Sequence, residues 1–342
     1  MKFSFTSLVS ALALGASLIA APLAANAQAV TPTADGILVY NAQHISLTKA
    51  WATAFTKETG IKVTIRNGGD AEVGNQIVQE GAASPADVFL TENSPAMVLV
   101  DNAGLFAPLA PATLAQVPDT FRPSAGRWIG IAARSTVFVY NKANLKPPQL
   151  PKSMLDLANP SWKGRWGASA SGADFQAIVG ALLELKGEAV TAAWLKAMKE
   201  NSVPFKGNGA VMKAVNAGQI EGGLIYHYYY FGDVARTGEN SNKSSLHYFR
   251  NQDPGAFVSI SGAGVLASSK HQAEAQAFVQ WIVGKGGQGI LKSGDSYEYA
   301  VANGAPSSVM LVPLADLQAP KVEPSKLNSR KVTDMMTQAD LM

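Results

Sequence analysis

Residues 129–142 read IGIAARSTVFVYNK. The run is long and β-rich, and it carries no helix signal. A second run of the same kind, GAFVSISGAGVLAS, occupies 255–268. Both interrupt a chain that otherwise alternates strand and helix patterns. Two uninterrupted strands in such a chain are expected to cross between two lobes, and this reading decides the fold.

Around these crossings the βα rhythm is regular. GILVYNAQH reads as a strand and loop, and SLTKAWATAFTKETG as a helix with Leu47, Trp51 and Phe55 four apart. Ser46 is expected to cap that helix and Gly60 to end it. IKVTIRN alternates as a strand, DAEVGNQIVQEGA is helical, ADVFLTEN is a strand, and SPAMVLVDNAG is a helix with Pro95 in its first turn. After 143–160, where four prolines mark the start of the second lobe, the rhythm resumes. GRWGASASG, SVPFKGNG and IEGGLIYH are strands running into loops. ADFQAIVGALLELKG, AVMKAVNAGQ and YYYFGDVARTG are the helices that follow them. HQAEAQAFVQWIVGKGGQGI is expected to be one helix packing back on the first lobe, and the tail from about 312 has no clear place. Repeated βα units imply parallel sheets flanked by helices.

Composition narrows the function. The chain has 342 residues, 47% hydrophobic and 15% charged, enough for two lobes. A net charge of +3 is too small, and the basic residues too scattered, to indicate a nucleic-acid partner, and none is expected. The first residues, MKFSFTSLVSALALGASLIAAPLAANA, have the form of a secretory signal peptide cut after Ala27. No later stretch is long and apolar enough to span a bilayer. With no cysteine, the chain has no disulfide, no thiolate metal site and no lipid-anchoring residue at the cleavage site. A free periplasmic protein, acting as a monomer, is expected.

The polar residues that stand out share one address, the carboxyl ends of strands, where α/β sheets bind ligands. His44 follows the first strand, Glu92 follows DVFLT, Ser171 and Gly172 follow RWGAS, Asn208 follows VPFKG, and Tyr228 and Tyr229 follow GGLIY. Each has an ordinary explanation: a structural histidine, a solvated glutamate, a serine helix cap, and an aromatic core or sugar platform. The coincidence of all of them at sheet ends favours one interlobe cleft.

A phenol ionises near pH 10, but a trivalent cation can displace its proton and take the phenolate oxygen. Two phenolates and one carboxylate balance the charge of Fe(III), and a neutral histidine adds a fourth donor. Zinc prefers nitrogen and sulfur, and calcium prefers more carboxylates and carbonyls. An octahedral ion is then two places short. The SASGAD junction, at a helix N-terminus, suits a small anion, with Asn208 donating from the neighbouring junction.

These stretches resemble the periplasmic ferric-ion-binding proteins of bacterial ABC importers. The resemblance is carried by VYNAQH, FTKETGIKV, ASPADVFLTEN, PSWKGRWG, SASGADF, YHYYYF, NQDPGAFVSISGAGVL and KHQAEAQAFVQWI, across nearly the whole chain after the leader. It implies the α/β, two-lobed type II periplasmic-binding fold, each lobe a mainly parallel sheet flanked by helices and joined by crossover strands. The lobes are expected at 28–135 plus 262–310 and at 136–261 plus 311–342. It implies metal ligands His44, Glu92, Tyr228 and Tyr229. It also implies an anion pocket from Asn93, Ser171, Gly172, Ala173 and Asn208 for phosphate, carbonate or another small anion. The chain departs from the family at Tyr226 and His227, where members can carry two asparagines; His227 is thereby a further candidate ligand.

The expected function is capture of Fe(III) and its delivery to an inner-membrane ABC permease with its ATPase, without catalysis. One rival is a receptor for a small organic or oxyanion solute on the same fold. Another is a secreted hydrolase, against which stand the absence of G-x-S-x-G and H-E-x-x-H motifs and the presence of only 4 histidines.

Overall fold

A computed structural model describes Met1 and residues 30–342; apart from Met1, the expected leader and its cleavage site lie outside the described residues. Residues 32–342 form one unit. Its first part runs β1 (Ile37–Ala42), α1 (Ile45–Thr59), β2 (Val63–Asn67), α2 (Asp70–Glu80), β3 (Val88–Thr91), α3 (Ser94–Asn102) and a short α4 (Pro111–Leu114). The long β4 (Trp128–Asn141) follows. Next come β5 (Trp166–Ala168), α5 (Ala173–Asn201), β6 (Ser202–Pro204), α6 (Asn208–Asn216), β7 (Gly222–Tyr226), α7 (His227–Arg236) and β8 (Ser244–His247). The chain returns along β9 (Val258–Val265) and ends with α8 (Gln272–Val283), α9 (Lys285–Ser293) and α10 (Ser329–Gln338).

The strands lie in the order β2-β1-β3-β9-β4-β7-β5-β6, with β8 beside β4. β1 is parallel to β2 and β3, and β5 is parallel to β6 and β7, as the βα repeats require. β4 and β9 run antiparallel between these two groups. β4 changes partner midway: Trp128 to Ser135 pair with β9, and Thr136 to Asn141 pair with β7 and β8. Its near-continuous apolar run follows from burial along almost its whole length.

Separate cores lie on either side of this crossing. Trp128, Phe89, Met97 and Phe106 pack the first group. Phe138, Trp166, Phe175 and Trp194 pack the second. α10, which no sequence pattern placed, closes the second core with Val332, Met335 and Met336 against α5.

Three expectations need correction. α1 begins at Ile45, so His44 and not Ser46 stands at its cap. The turn is set by Asn41, whose Oδ1 accepts from Gln43 N and from Thr48 Oγ1. α5 continues past Gly187, where it kinks at φ 78°, a conformation glycine tolerates. The expected single helix after 270 is two, α8 and α9, broken at Gly284. Among the described residues no helix is long and apolar enough to cross a membrane.

Candidate metal centre

The polar ends of β1, β3, β5 and β7 meet beside the crossing strands. The junction after β7 carries Tyr228 and Tyr229. Two glycines in β7 let the strand sit deep in the sheet: a Cβ at Gly222 would fall 2.2 Å from Phe138, and one at Gly223 would fall 2.3 Å from Val211. α7 begins immediately afterwards, so both tyrosines lie in its first turn, where the positive helix end favours negative charge. Their rings stack at 4.3 Å, and the Tyr228 ring meets the edge of His44 at 4.8 Å. Burial first, then the carboxylate of Asp174, raises both phenols above their ordinary range. Both are protonated at neutral pH.

His44 stands between two carboxylates. Its Nε2 lies 3.0 Å from Glu92 Oε1, and its Nδ1 lies 3.4 Å from Glu298 Oε2. Burial lowers its basicity, but Glu298 and Glu92 outweigh burial and push it up to about 10. Glu298 is fully buried and paired with the buried Arg134. Burial alone would raise its pKa; Arg134 and His44 outweigh burial and pull it down to about 2. The guanidinium of Arg134 also lies 5.7 Å over the Tyr228 ring.

Of the residues expected to hold a small anion, Asn93 and Asn208 donate to a carboxylate of the protein, Asp174. Asp174 Oδ2 accepts from Asn208 Nδ2 at 2.8 Å, from Tyr229 Oη at 3.2 Å and from Tyr228 Oη at 3.3 Å. Its Oδ1 accepts from Asn93 Nδ2 at 3.0 Å. Asn93 also donates to Asp70, and its Oδ1 accepts from Ser259 and Tyr226. Asn93 and Asn208 are therefore brought together as expected, but around Asp174. Ser171 is exposed, and Gly172 and Ala173 form the turn that opens α5. Burial and the Glu92 charge raise the Asp174 carboxyl above its usual range.

His227 is not directed at this cluster. It is fully buried, its Nδ1 accepts from Ser135 N–H at 3.1 Å, and its ring stacks on Tyr299 at 4.7 Å. Burial lowers its basicity to about 4. It substitutes for a ladder partner at the point where β4 changes strands. Tyr226 joins the amide network through Asn93 and the Asp174 carbonyl.

Three residues of the site escaped the sequence reading. Asp174 looks like an ordinary acidic residue in a first helical turn. Arg134 is legible as a lone charge inside an apolar strand. Glu298 sits in a loop after α9 that no strand-end rule points to. Among the described residues no three histidine, aspartate, glutamate or cysteine side chains gather by themselves as a metal site; the arrangement depends on phenol oxygens. It is a cluster of hard donors, two phenols, two carboxylates and an imidazole, and no nucleophile–base pair is set in it.

A fold of two sheet groups joined by crossing strands, with a donor cluster between them, defines a solute-binding protein. The chain belongs to the family described as bacterial extracellular solute-binding protein, whose profile matches residues 83–318. It is 66% identical over 342 residues to the Fe(3+)-binding periplasmic protein of Serratia marcescens, covering 100% of both chains. It is 38% identical over 323 residues to the major ferric iron-binding protein of Neisseria meningitidis serogroup B, covering 93% of this chain and 97% of that one. Its structure matches iron-bound HitA from Pseudomonas aeruginosa with a TM-score of 0.84 at 40% identity, over 89% of this chain and 99% of that one. The fold is thus the type II periplasmic-binding fold, and the relatives are binding proteins rather than enzymes.

Proposed function

We propose that this protein captures Fe(III) between His44, Glu92, Tyr228 and Tyr229 and carries it through the periplasm to an inner-membrane ABC permease. The observation that carries this reading is the convergence of hard donors from both sheet groups: Tyr228 packs on His44 at 4.8 Å, and His44 lies 3.0 Å from Glu92. The relatives named for ferric iron support the choice of ion. The ion displaces both phenol protons and one proton of His44, which leaves two phenolates and the Glu92 and Asp174 carboxylates facing three positive charges.

Asp174 supplies the remaining coordination from within the chain. It occupies the amide donors Asn93 and Asn208 that a phosphate or carbonate would otherwise use. The turn at Ser171, Gly172 and Ala173 then serves as the helix start that positions Asp174.

The two lobes, 28–135 plus 262–310 and 136–261 plus 311–342, close about the partner switch in β4. The bond from Asn93 to Asp174 ties one to the other. Binding energy that joins donors of both lobes biases this hinge toward closure. The leader is removed on export, and the protein works as a monomer. The test is to load the purified protein with ferric citrate, desalt it and measure bound iron. One ion per chain, abolished by His44→Gln combined with Glu92→Gln, is expected; iron retained at full stoichiometry in that variant would refute the assignment.

A further inference from the structure

We propose that Glu298, a residue outside the ligand set, is the positioning group that presents His44 to the ferric ion. The inference rests on the ferric reading of the site. A histidine offers a metal one lone pair only when its other ring nitrogen carries the proton, and a carboxylate facing that other nitrogen fixes this tautomer. Here the ring spans two carboxylates in opposite directions. Nε2 faces Glu92 in the donor cluster, and Nδ1 faces Glu298 on the inner side.

The two carboxylates differ in setting. The Glu92 side chain is 25% exposed and lies with the tyrosines, whereas that of Glu298 is 0% exposed. Glu298 Oε1 is taken by Arg134, Ser261 and Gln43. Its Oε2 has no hydrogen-bond partner among the described residues and is directed at His44 alone. Gln43 completes the frame: it accepts from His44 N at 2.7 Å and from Arg134 at 3.1 Å, and it donates to Ser261 at 2.8 Å.

The backbone that carries Glu298 is fixed to the crossing strand. Tyr299 N donates to Ala133 O at 2.8 Å, and Ala133 N donates to Tyr299 O at 3.0 Å. The Tyr299 ring stacks on His227. The carboxylate is therefore held from β4 itself, and its aim does not depend on a mobile side chain. A group that only filled the core would not need a free oxygen turned toward the one histidine of the donor cluster.

The test is a double-mutant cycle on the full chain, following loss of the tyrosinate–iron absorption when excess EDTA is added. Glu298→Gln should retain the colour but release iron about 10- to 100-fold faster, the range for outer-shell partners. Because Glu298 acts through His44, Glu298→Gln in a His44→Ala background should release no faster than His44→Ala alone. Release at the wild-type rate, or effects that multiply, would overturn the proposal. Should Glu298→Gln fail to fold, ¹⁵N-histidine NMR of the wild-type protein loaded with Ga(III) decides. Nδ1 protonated with Nε2 metal-bound supports it, and the opposite arrangement overturns it. A wild-type protein that stays colourless with ferric salts would instead defeat the ferric reading, a distinct outcome.

Discussion

Tyr228 and Tyr229 donate to the same oxygen: their hydroxyls lie 3.3 and 3.2 Å from Asp174 Oδ2. Adjacent residues on a helix normally diverge by about 100°. Here both rings stack in the first turn of α7 and turn their hydroxyls to one point. The four side chains Asn93, Asn208, Tyr228 and Tyr229 are thus gathered as one hydrogen-bonded cluster around Asp174.

This relationship predicts independence from added anion. Wild-type protein is expected to take up ferric ion equally well in phosphate-free, carbonate-free buffer and in buffers containing either. Asp174→Ala opens the amides of Asn93 and Asn208, and its uptake should become dependent on added anion. Binding isotherms in the two buffers check this; equal anion dependence in both proteins would remove Asp174 from the coordination.

Loading should release protons. Both tyrosines and His44 are held above neutral pH in the iron-free site, so binding at pH 7 displaces roughly three protons. Iron affinity therefore falls as pH falls. Base uptake in weakly buffered solution measures the number; one proton or fewer contradicts phenolate binding.

The same histidine predicts a pH trend for the iron-free fold. Its folded pKa, about 10, is raised above the ordinary 6.5. The stability it contributes is fully present below pH 6.5 and is lost as pH rises toward 10. The gap in melting temperature between wild type and His44→Gln should shrink across that interval. A gap that widens would show that His44 is not paired with Glu298 and Glu92.

Strand β7 predicts a packing cost. Gly223→Ala places a methyl 2.3 Å from Val211 and 2.9 Å from the Gly167 carbonyl. Overpacking of this kind destabilises by about 1–3 kcal/mol, and it displaces the strand that aims the tyrosines. Denaturant unfolding should show the loss, together with weaker ferric binding.

Much of this was legible in the chain because periodicity and strand-end position are local signals. The run at 129–142 is the crossing strand β4, and the junctions after β1, β3 and β7 place His44, Glu92 and the two tyrosines. What stayed hidden depends on tertiary placement. Nothing near Glu298 tells that its loop folds back onto Ala133. Asp174 looks like a helix-start acid, and only the folded site shows four donors converging on it. His227 reads as a ligand by proximity to the tyrosines, yet the helix turns it to the other side, against Ser135 of β4. α10 lacks a parent strand, so the βα pattern has no slot for it.

The most direct measurement is a visible titration of the purified protein with ferric nitrilotriacetate. A tyrosinate-to-iron charge-transfer band should grow to saturation at one ion per chain. The band should be lost in the double variant Tyr228→Phe/Tyr229→Phe, with circular dichroism unchanged. A protein that binds no iron, or one whose iron spectrum survives loss of both hydroxyls, would contradict the account.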